Sequence, residues 1–563
     1  MKNLLLPGVA LCLMLTTKTT HAQFTDSMEV NTLKIKMFAD GGLGEVHVLD
    51  NGTYKPLLYA QNLWIGGRDA NGMLHTSTQT YRQSPTLIGF RAGPISNDPN
   101  VSTVYNDVYH VKLQTISDFV NGNTSGIPPE IANWPAHGNT MMGEAADLAP
   151  FVDVDNDGNY NPANGDYPDI KGDEALFAIF NDQNHRPNEG MGLEIHAMVY
   201  AYNTGGIEDS IIFMEYTVFN RTTQSYVDVY MSSWVDFDLG NSTDDLMGTN
   251  IEADAIFCYN SNSIDAGPLG FGNYLASCGL RVLKGPPADF FDGVDNDRDG
   301  CVDGVLINGI CQSESPPNIR EHYKMSGSMA YARSGSGGNS NTTDPSAPLQ
   351  FYNYMKGLWK NGNPLVIESP DGFLGANNGD GYTPAATGTA VNYIYPGNSV
   401  DASGAFGPQA PVNWFASPNN NSDVRSLANM GPFRIQAGQS FKVDMAIVWS
   451  RDSSLTKSFT NINDRLDSLE GNFNNQPVRN VSLRDLSLRN AYSVLYNTRT
   501  QNWMIDNHSG RDLHFDIVTS TGQLLKTITA PSGSPTSVPA GSVSNGVYLL
   551  VNHEGGQVHK IMY

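Results

Sequence analysis

The chain has 563 residues and carries 33 Lys and Arg against 57 Asp and Glu, which gives a formal net charge of −24 at pH 7. A chain this acidic repels nucleic-acid phosphates and anionic membranes, so we expect no nucleic-acid partner. Charged residues make up only 16 % of the chain, while Gly, Asn, Ser, Thr and Tyr are plentiful. That balance is typical of a loop-rich, β-rich extracellular protein with several domains.

Residues 1–22 predict a secretory signal peptide. Lys2 precedes the apolar run LLLPGVALCLMLTT, and small residues lead to a cleavage point near Ala22. The run is too short for a membrane anchor, and no later stretch approaches the length of a spanning helix. We therefore expect a secreted protein, extracellular or on the outer cell surface, with no transmembrane segment.

The body of the chain is predicted to be mainly β, with a β-sandwich-like architecture and long acidic loops. Residues 24–140 alternate short strands with turns and form an N-terminal β-region, and residues 141–190 form an acidic connector. Residues 191–472 form a central β-sandwich-like domain with loop insertions. Its alternating runs LEIHAMVYAY, SIIFMEYTVFN and YVDVYMSSWVDF predict adjacent antiparallel strands of one sheet, to which GPFRIQ and SFKVDMAIVWS return.

One amphipathic helix is predicted at the end of the body, because apolar residues recur there at spacings of four and three. These residues are Leu455, Phe459, Ile462, Leu466 and Leu469. The helix is expected to end at Gly471, a C-cap signal. Residues 473–487 then form a polar linker.

Residues 488–563 predict a separate immunoglobulin-like β-sandwich, in which short alternating runs are punctuated by turns such as STG, SNG and HEGG. The order FDIVTSTGQLLK, GVYLLV, a Gly-rich turn and a closing strand with Lys560 resembles the C-terminal sorting domain of type IX secretion cargo in Bacteroidetes. The resemblance implies delivery by the type IX secretion machinery through this domain. The alternative is a generic terminal domain of the same fold.

Long motifs in the body carry a second resemblance. In chain order they are LWIGGRDANGMLHTSTQTYRQS, WPAHG, APFVDVDNDGNYNPANGDYPDIKGDEALFAIFND, DFDLGNSTDD and GPFRIQAGQS. Together they resemble large secreted surface proteins of Bacteroidetes that have no established biochemical activity. This resemblance implies an architecture and a destination, but no reaction.

The segment DVDNDGNYNPANGD predicts a calcium site. Asp153, Asp155 and Asp157 alternate along a loop that a glycine bends, so three carboxylates reach one point. Asn159 would add its backbone carbonyl, and Asp166 is the expected closing ligand. The alternative is a solvated acidic turn.

The segment FDGVDNDRDGCVDG resembles the DGxDNDxDGxxDE metal-binding motif of surface proteins. Gly304 replaces the final acid and Arg298 lies inside the loop, and both departures would weaken calcium affinity. The candidate ligands are Asp292, Asp295, Asp297, Asp299 and Asp303.

A third acidic block, WVDFDLGNSTDD, follows a predicted strand. Calcium could tie this loop to the edge of the sheet through four carboxylates, those of Asp236, Asp238, Asp244 and Asp245. Helix capping and Asx turns by the same side chains are the alternative.

Four cysteines remain after the signal peptide, an even number that permits two disulfides in an exported protein. The pairs Cys258–Cys278 and Cys301–Cys311 are favoured because each closes a short loop. Free buried thiols are the alternative.

No catalytic residues are predicted, because HExxH, GxSxG, P-loop and GxGxxG motifs are all missing from the sequence. His137 and the Glu194–His196 pair are expected to be packed residues rather than metal ligands. Four aromatic residues are candidates for stacking on sugar rings, although core positions are the commoner outcome: Trp64, Tyr81, Trp134 and Trp414.

The sequence therefore predicts an exported, calcium-stabilised β-protein with a binding or structural role and a glycan or surface ligand. The alternative is a secreted hydrolase, a glycanase or peptidase, whose active site is assembled from distant loops.

Overall fold

The computed structural model describes most of the chain from residue 25 to the C-terminal domain. The described ranges are 25–81, 89–183, 189–307, 309–316, 319–335, 339–367, 380–385, 387–401, 413–416, 423–474 and 476, together with strand segments between 492 and 562. The predicted signal peptide, 1–22, lies outside them, and so does the linker from residue 477 onward.

The first part of the body consists of five longer strands followed by short elements. The strands are β1 Thr25–Val30, β2 Leu33–Phe38, β3 Leu43–Asp50, β4 Thr53–Arg68 and β5 Leu74–Thr78. The short elements are β6 Arg91–Ala92, α1 Val101–Val104, β7 Tyr109–Lys112, α2 Leu113–Val120, α3 Pro129–Ala132, β8 Phe151–Val152 and β9 Tyr167–Pro168.

The second part of the body contains its longest strands and its longest helix. Its elements are β10 Glu174–Asn181, β11 Leu193–Ala201, β12 Ile211–Asn220, β13 Tyr226–Asp236, β14 Asp245–Asn250, β15 Ala255–Asn260, β16 Leu275–Lys284, β17 Gly304–Ile307, β18 Ile310–Ser313, β19 Gly327–Ala332, α4 Pro348–Met355, β20 Leu365–Ile367, β21 Thr389–Val391, β22 Val424–Ile435, β23 Ser440–Asp452 and α5 Leu455–Asn474. Short 3-10 turns lie at Thr140–Met142, Pro162–Asn164, Ile207–Ser210, Ser242–Asp244 and Ser340–Thr342.

Two large antiparallel sheets form the body, which confirms the mainly β, sandwich-like prediction. The first sheet has the order β1-β2-β3-β4-β13-β22-β19, with β5 beside β4. The second has the order β14-β15-β16-β23-β12-β11-β10-β6, with β7 beside β10. Buried side chains join the two sheets: the Tyr216 hydroxyl of β12 donates to Gln61 Oε1 of β4 at 3.1 Å.

The sheet assignment of two strands differs from the sequence prediction. The runs that form β11 and β12 do pair, but β13 lies in the other sheet between β4 and β22. Of the two later strands, β23 pairs with β12 as predicted, whereas β22 pairs with β13 in the other sheet. Because β13 is buried at every position from Met231 to Asp236, side-chain alternation does not reveal which sheet it joins. The predicted N-terminal region and central domain consequently share the first sheet.

Helix α5 forms as the apolar spacing predicts and packs on β16 and β23. Ile462, Leu466 and Leu469 are buried, and Gly279 of β16 leaves room for the Leu466 side chain. The helix runs three residues past Gly471, to Asn474, and there Phe473 packs on Phe213 with ring centroids 6.3 Å apart. This contact offsets the low helix propensity of glycine.

The C-terminal residues form two small sheets, β24-β25-β28 and β27-β26-β29-β30. Their strands are β24 Tyr492–Asn497, β25 Asn502–Asn507, β26 Leu513–Thr519, β27 Leu524–Ala530, β28 Thr536–Val538, β29 Val547–Asn552 and β30 Val558–Met562. Ile505 and Val538 of the three-stranded sheet share a core with Phe515 and Leu550 of the other. This is the predicted C-terminal β-sandwich.

A buried carboxyl in β23 makes body stability depend on pH. Asp444 is 7 % exposed, and its Oδ1 has no hydrogen-bond partner in the described part of the chain. Burial raises its pKa to about 6. The positive charges of Lys171, Lys284 and Lys442 oppose this shift, and the negative charge of Glu215 adds to it. The folded state thus holds this proton to a higher pH than the unfolded state does.

We therefore expect Asp444→Asn to stabilise the body at neutral pH. As pH rises from about 4 to about 6, the unfolded chain loses the Asp444 proton while the folded chain retains it, so wild-type stability falls. The variant should gain on the order of 2 kcal/mol at pH 7 and almost nothing at pH 4. Thermal unfolding at both pH values measures this. Asp147→Asn, whose side chain is 88 % exposed, is the control, and an equal gain from it would contradict the account.

Candidate functional site

The first acidic loop, residues 153–166 and here called the Asp153 loop, brings its alternating aspartates together. One carboxylate oxygen from each of Asp153, Asp155 and Asp157 lies within 4.8 Å of the others. Asp153 accepts from the backbone amides of Asp157 at 3.3 Å and Gly158 at 2.8 Å. Gly158 has φ +79°, a left-handed conformation that glycine adopts without strain. The local backbone therefore brings the three carboxylates together.

Backbone hydrogen bonds hold the first and the last aspartate of this loop. The amide of Gly158 in particular lowers the pKa of Asp153. Asp166 is fully buried, and its two oxygens accept from the amides of Val154 and Asn161, both at 2.8 Å. It thus closes the loop through backbone bonds and is not one of the three grouped carboxylates. Asn159 is exposed, and its amide donates to Asp157 at 2.7 Å.

The second acidic segment divides its five aspartates between two groups. Asp295, Asp297 and Asp299 form one, here called the Asp295 group. The other, here called the Glu321 group, contains Asp292, Asp303 and Glu321. In each group the carboxylate oxygens lie within 4.8 Å of one another.

The Asp295 group repeats the geometry of the Asp153 loop. Asp295 accepts from the amides of Asp299 at 3.1 Å and Gly300 at 2.9 Å, and Gly300 has φ +91°. The same D-x-D-x-D-G spacing therefore folds in the same way at two places. Burial, followed by the neighbouring charge of Asp299, raises the pKa of Asp297 to about 7. The positive charge of Lys324 opposes this shift only in part.

Glu321, which sequence reasoning missed, is the most deeply buried member of these groups. It is 0 % exposed, and its Oε1 has no hydrogen-bond partner among the described residues. Its Oε2 accepts from Asn296 at 3.4 Å, and burial raises its pKa to about 8. The motif lacks its final acid at Gly304, and Glu321 supplies an acid from later in the chain. Only the fold brings it near, so no local spacing could have identified it.

Arg298 lines a cavity together with Asp297 and Asp299, but its guanidinium has a carboxylate partner outside the motif. It forms an ion pair with Asp254, which is itself 3 % exposed. The carboxylate of Asp254 therefore compensates the positive charge of Arg298. The expected loss of cation affinity through Arg298 stays a prediction.

The Cys301–Cys311 disulfide is present, with a Cα–Cα distance of 5.4 Å, and it joins the Asp295 segment to β18. The favoured Cys258–Cys278 disulfide is not formed, because both residues are free buried thiols. They lie opposite each other in β15 and β16. The strand pairing itself already closes this short loop, so loop length was a poor guide. Burial raises the pKa of both thiols.

Peptide mapping of the purified protein should find Cys301 linked to Cys311 and the other two cysteines reduced. Because Cys258 and Cys278 are fully buried, iodoacetamide should modify them only after denaturation. Mass spectrometry of non-reduced digests, with and without guanidinium, measures both results. A Cys258–Cys278 cross-link in the native protein would contradict the structure.

The third acidic block does not gather its four aspartates. Asp245 Oδ2 accepts from the Leu239 amide at 2.9 Å, and Asp244 Oδ2 accepts from Asn262 at 3.0 Å. In the described residues, no three carboxylates of this block lie within 4.8 Å of one another. Asp236 and Asp238 instead line a separate cavity.

This cavity, here called the Tyr81 pocket, has a volume of about 400 Å³. Its lining residues are Tyr59, Tyr81, Asp236, Asp238, Ser242, Arg333, Asp423 and Arg425. The Tyr81 hydroxyl donates to Asp236 Oδ2 at 2.7 Å and accepts from Arg425 Nε at 2.8 Å. Burial raises the pKa of Asp236 to about 7 and that of Asp238 to about 6, while Arg425 opposes both shifts.

The other candidate residues have partners within the protein or lie in its core. His196 lies 3.0 Å from Glu194, which also binds Arg221. His137 accepts from the Tyr160 amide at 3.0 Å. Trp64, Trp134 and Trp414 are buried in the core, so of the four aromatic candidates only Tyr81 lines a cavity described above.

Comparison with known proteins adds little. No protein-family model matches the chain, and no curated protein matches it. One similar solved structure is the GalM/aldose epimerase homologue from C. elegans, at 8 % identity, which covers 76 % of this chain and 99 % of that one. Its TM-score of 0.20 is too low to support any argument. Among the described residues, no helix combines the length and apolarity needed to cross a membrane.

Proposed function

We propose that the protein is an exported β-protein of the cell surface or medium, stabilised by calcium, with a binding or structural role. The observation that carries this proposal is the repeated carboxylate geometry of the Asp153 loop and the Asp295 group, joined by the unpartnered buried oxygen of Glu321. Carboxylates this close repel one another unless a cation lies between them.

Calcium fits these groups better than other biological cations. Every grouped side chain offers carboxylate oxygen, and none is a cysteine or histidine, the ligands that zinc prefers. Calcium takes six to eight oxygens in variable geometry, so backbone carbonyls and water can complete sites on loops. An ion that binds only the folded state stabilises it by RT ln(1 + [L]/Kd), so external calcium makes even weak sites effective.

The sites would fix long loops to the two sheets. The Asp153 loop connects the elements around β8 and β9, which precede β10 of the second sheet. Glu321 belongs to the segment before β19 of the first sheet, and its carbonyl accepts from the Ala288 amide at 3.0 Å. Cation binding at the Glu321 group would therefore hold the 289–303 segment against the body.

For residues 488–563 we propose a sorting role in type IX secretion. The resemblance in sequence motivates it, and the separate core around Phe515 and Leu550 is what an independently folding signal requires. The polar linker predicted at 473–487, of which residues 473 and 474 belong to α5, suits a domain that must reach secretion machinery while the body is folded.

Calcium removal should lower the thermal midpoint of the body, and Asp155→Ala should move the midpoint in millimolar calcium towards the chelated value. The substitution removes one of three converging ligands and leaves the others poorly placed. Differential scanning calorimetry with calcium or EGTA measures this, with Asp147→Ala as the matched surface control. An unchanged wild-type midpoint after chelation would mean that these acidic turns are merely solvated.

Glu321→Gln should shift the thermal midpoint in opposite directions with and without calcium. In EGTA the variant removes a buried carboxylate whose Oε1 lacks a partner, so its midpoint should lie about 2 °C or more above wild type. In calcium it loses a ligand, so its midpoint should lie below wild type. The same calorimeter runs test both arms. Stabilisation in both buffers would exclude Glu321 as a ligand.

Deletion of residues 488–563 should leave a folded body that accumulates in the periplasm of the native host. The body core uses none of the described C-terminal side chains, so its calcium-dependent melting should persist. Cell fractionation and immunoblotting follow the location. Surface delivery of the truncated chain at the normal level would refute the sorting proposal.

A further inference from the structure

The Tyr81 pocket lies at one end of three neighbouring strands of the first sheet. Asp236, the last residue of β13, is paired with Ala60 of β4 on one side and Arg425 of β22 on the other. Tyr59 precedes Ala60, so the central strand pairing brings an aromatic ring, a carboxylate and a guanidinium to the same end. A rigid sheet, rather than a loop alone, therefore positions these groups.

The pocket combines groups that few ligands can satisfy together. Asp236 is 3 % exposed, and its Oδ1 has no hydrogen-bond partner in the described residues, although its Oδ2 binds Tyr81. Tyr59 is 43 % exposed and meets Tyr81 edge to face, with ring centroids 6.0 Å apart. One buried acceptor thus lacks a donor, beside a ring that is open to contact.

The mixed charges of the lining residues disfavour both a divalent cation and an inorganic anion as the ligand. A divalent cation would face Arg425 and Arg333 across the cavity, and an inorganic anion would face Asp236, Asp238 and Asp423. An apolar molecule would leave Asp236 Oδ1 without a donor at a cost in affinity. A neutral ligand rich in hydroxyls can donate to the carboxylates and also accept from guanidinium groups, so it suits the mixed lining.

We propose that the Tyr81 pocket binds a carbohydrate, with the exposed face of Tyr59 against a sugar ring and with Asp236 and Asp238 accepting from sugar hydroxyls. This names the ligand class for the binding role proposed above and rests on that role. The volume of about 400 Å³ lies in the range of small-molecule sites. The raised pKa of Asp236, caused by burial, agrees with a carboxyl that lacks a donor in the ligand-free protein.

The test uses the mature full-length protein in calcium, an array of neutral and acidic short oligosaccharides, and titration calorimetry with the sugar that binds most strongly. Tyr59→Ala and Asp238→Asn should each weaken binding roughly tenfold or more, because each removes a central contact. Tyr59→Phe keeps the ring and should bind as wild type does. Tyr274→Ala, at an exposed tyrosine outside the pocket (46 % exposed), is the matched control and should have no effect.

Thermal midpoints of every variant confirm that it is folded before binding is compared. No binding to any sugar on the array would overturn the inference, and so would binding that survives both Tyr59→Ala and Asp238→Asn. In the latter case a binding role would remain, with its site elsewhere. Release of reducing ends that both variants slow would support a saccharide site and identify it as hydrolytic. The calcium response of the same samples tests the calcium proposal separately.

Discussion

Mutual repulsion of converging carboxylates is the main constraint on the acidic loops of this protein. Backbone amides hold Asp153 and Asp295 in the same way, through Gly158 and Gly300 five residues later, and so force the neighbouring aspartates to converge. That geometry is built by the chain itself, before any ion is considered. It leaves concentrated negative charge, and in the Glu321 group it adds a buried oxygen without a partner. A bound cation would turn this electrostatic cost into stabilisation.

The two sheets have a different basis of stability. Their strands bury continuous apolar faces, with Trp64 and Trp234 stacked at 6.2 Å in the first sheet. Hydrophobic burial of this kind needs no ion. The sandwich is therefore stabilised by its core, and on the calcium proposal a bound ion would add order to its long acidic loops. The same core fixes the Tyr81 pocket, because Trp234 lies two residues before Asp236 on β13 and packs edge to face against Tyr81 at 5.0 Å.

Local patterns in the sequence predicted local structure well. The apolar spacing located α5, and the D-x-D-x-D-G spacing located two clusters of carboxylates. Short separation located the Cys301–Cys311 bond but wrongly favoured Cys258–Cys278. Each of these features is decided by residues close together in the chain. The β-sandwich class also followed, because strand alternation and turn residues are local signals.

Apart from the return of β23 to β12, features that join distant residues could not be predicted. The transfer of β13 to the first sheet depends on pairing with β4, which lies more than 150 residues earlier. Glu321 reaches Asp292 only through the fold, and Asp236 meets Arg425 only through strand register. Asp236 was grouped with Asp244 and Asp245 by proximity in sequence, whereas its contacts in the structure are with Tyr81 and Arg425.

The most direct test of the account is long-wavelength anomalous diffraction from crystals of the mature protein grown in millimolar calcium. We expect anomalous peaks about 2.3–2.6 Å from carboxylate oxygens of the Asp153 loop, the Asp295 group and the Glu321 group. These peaks should disappear after a soak in EGTA. Crystals in calcium that show no anomalous density at any of the three groups would contradict the account.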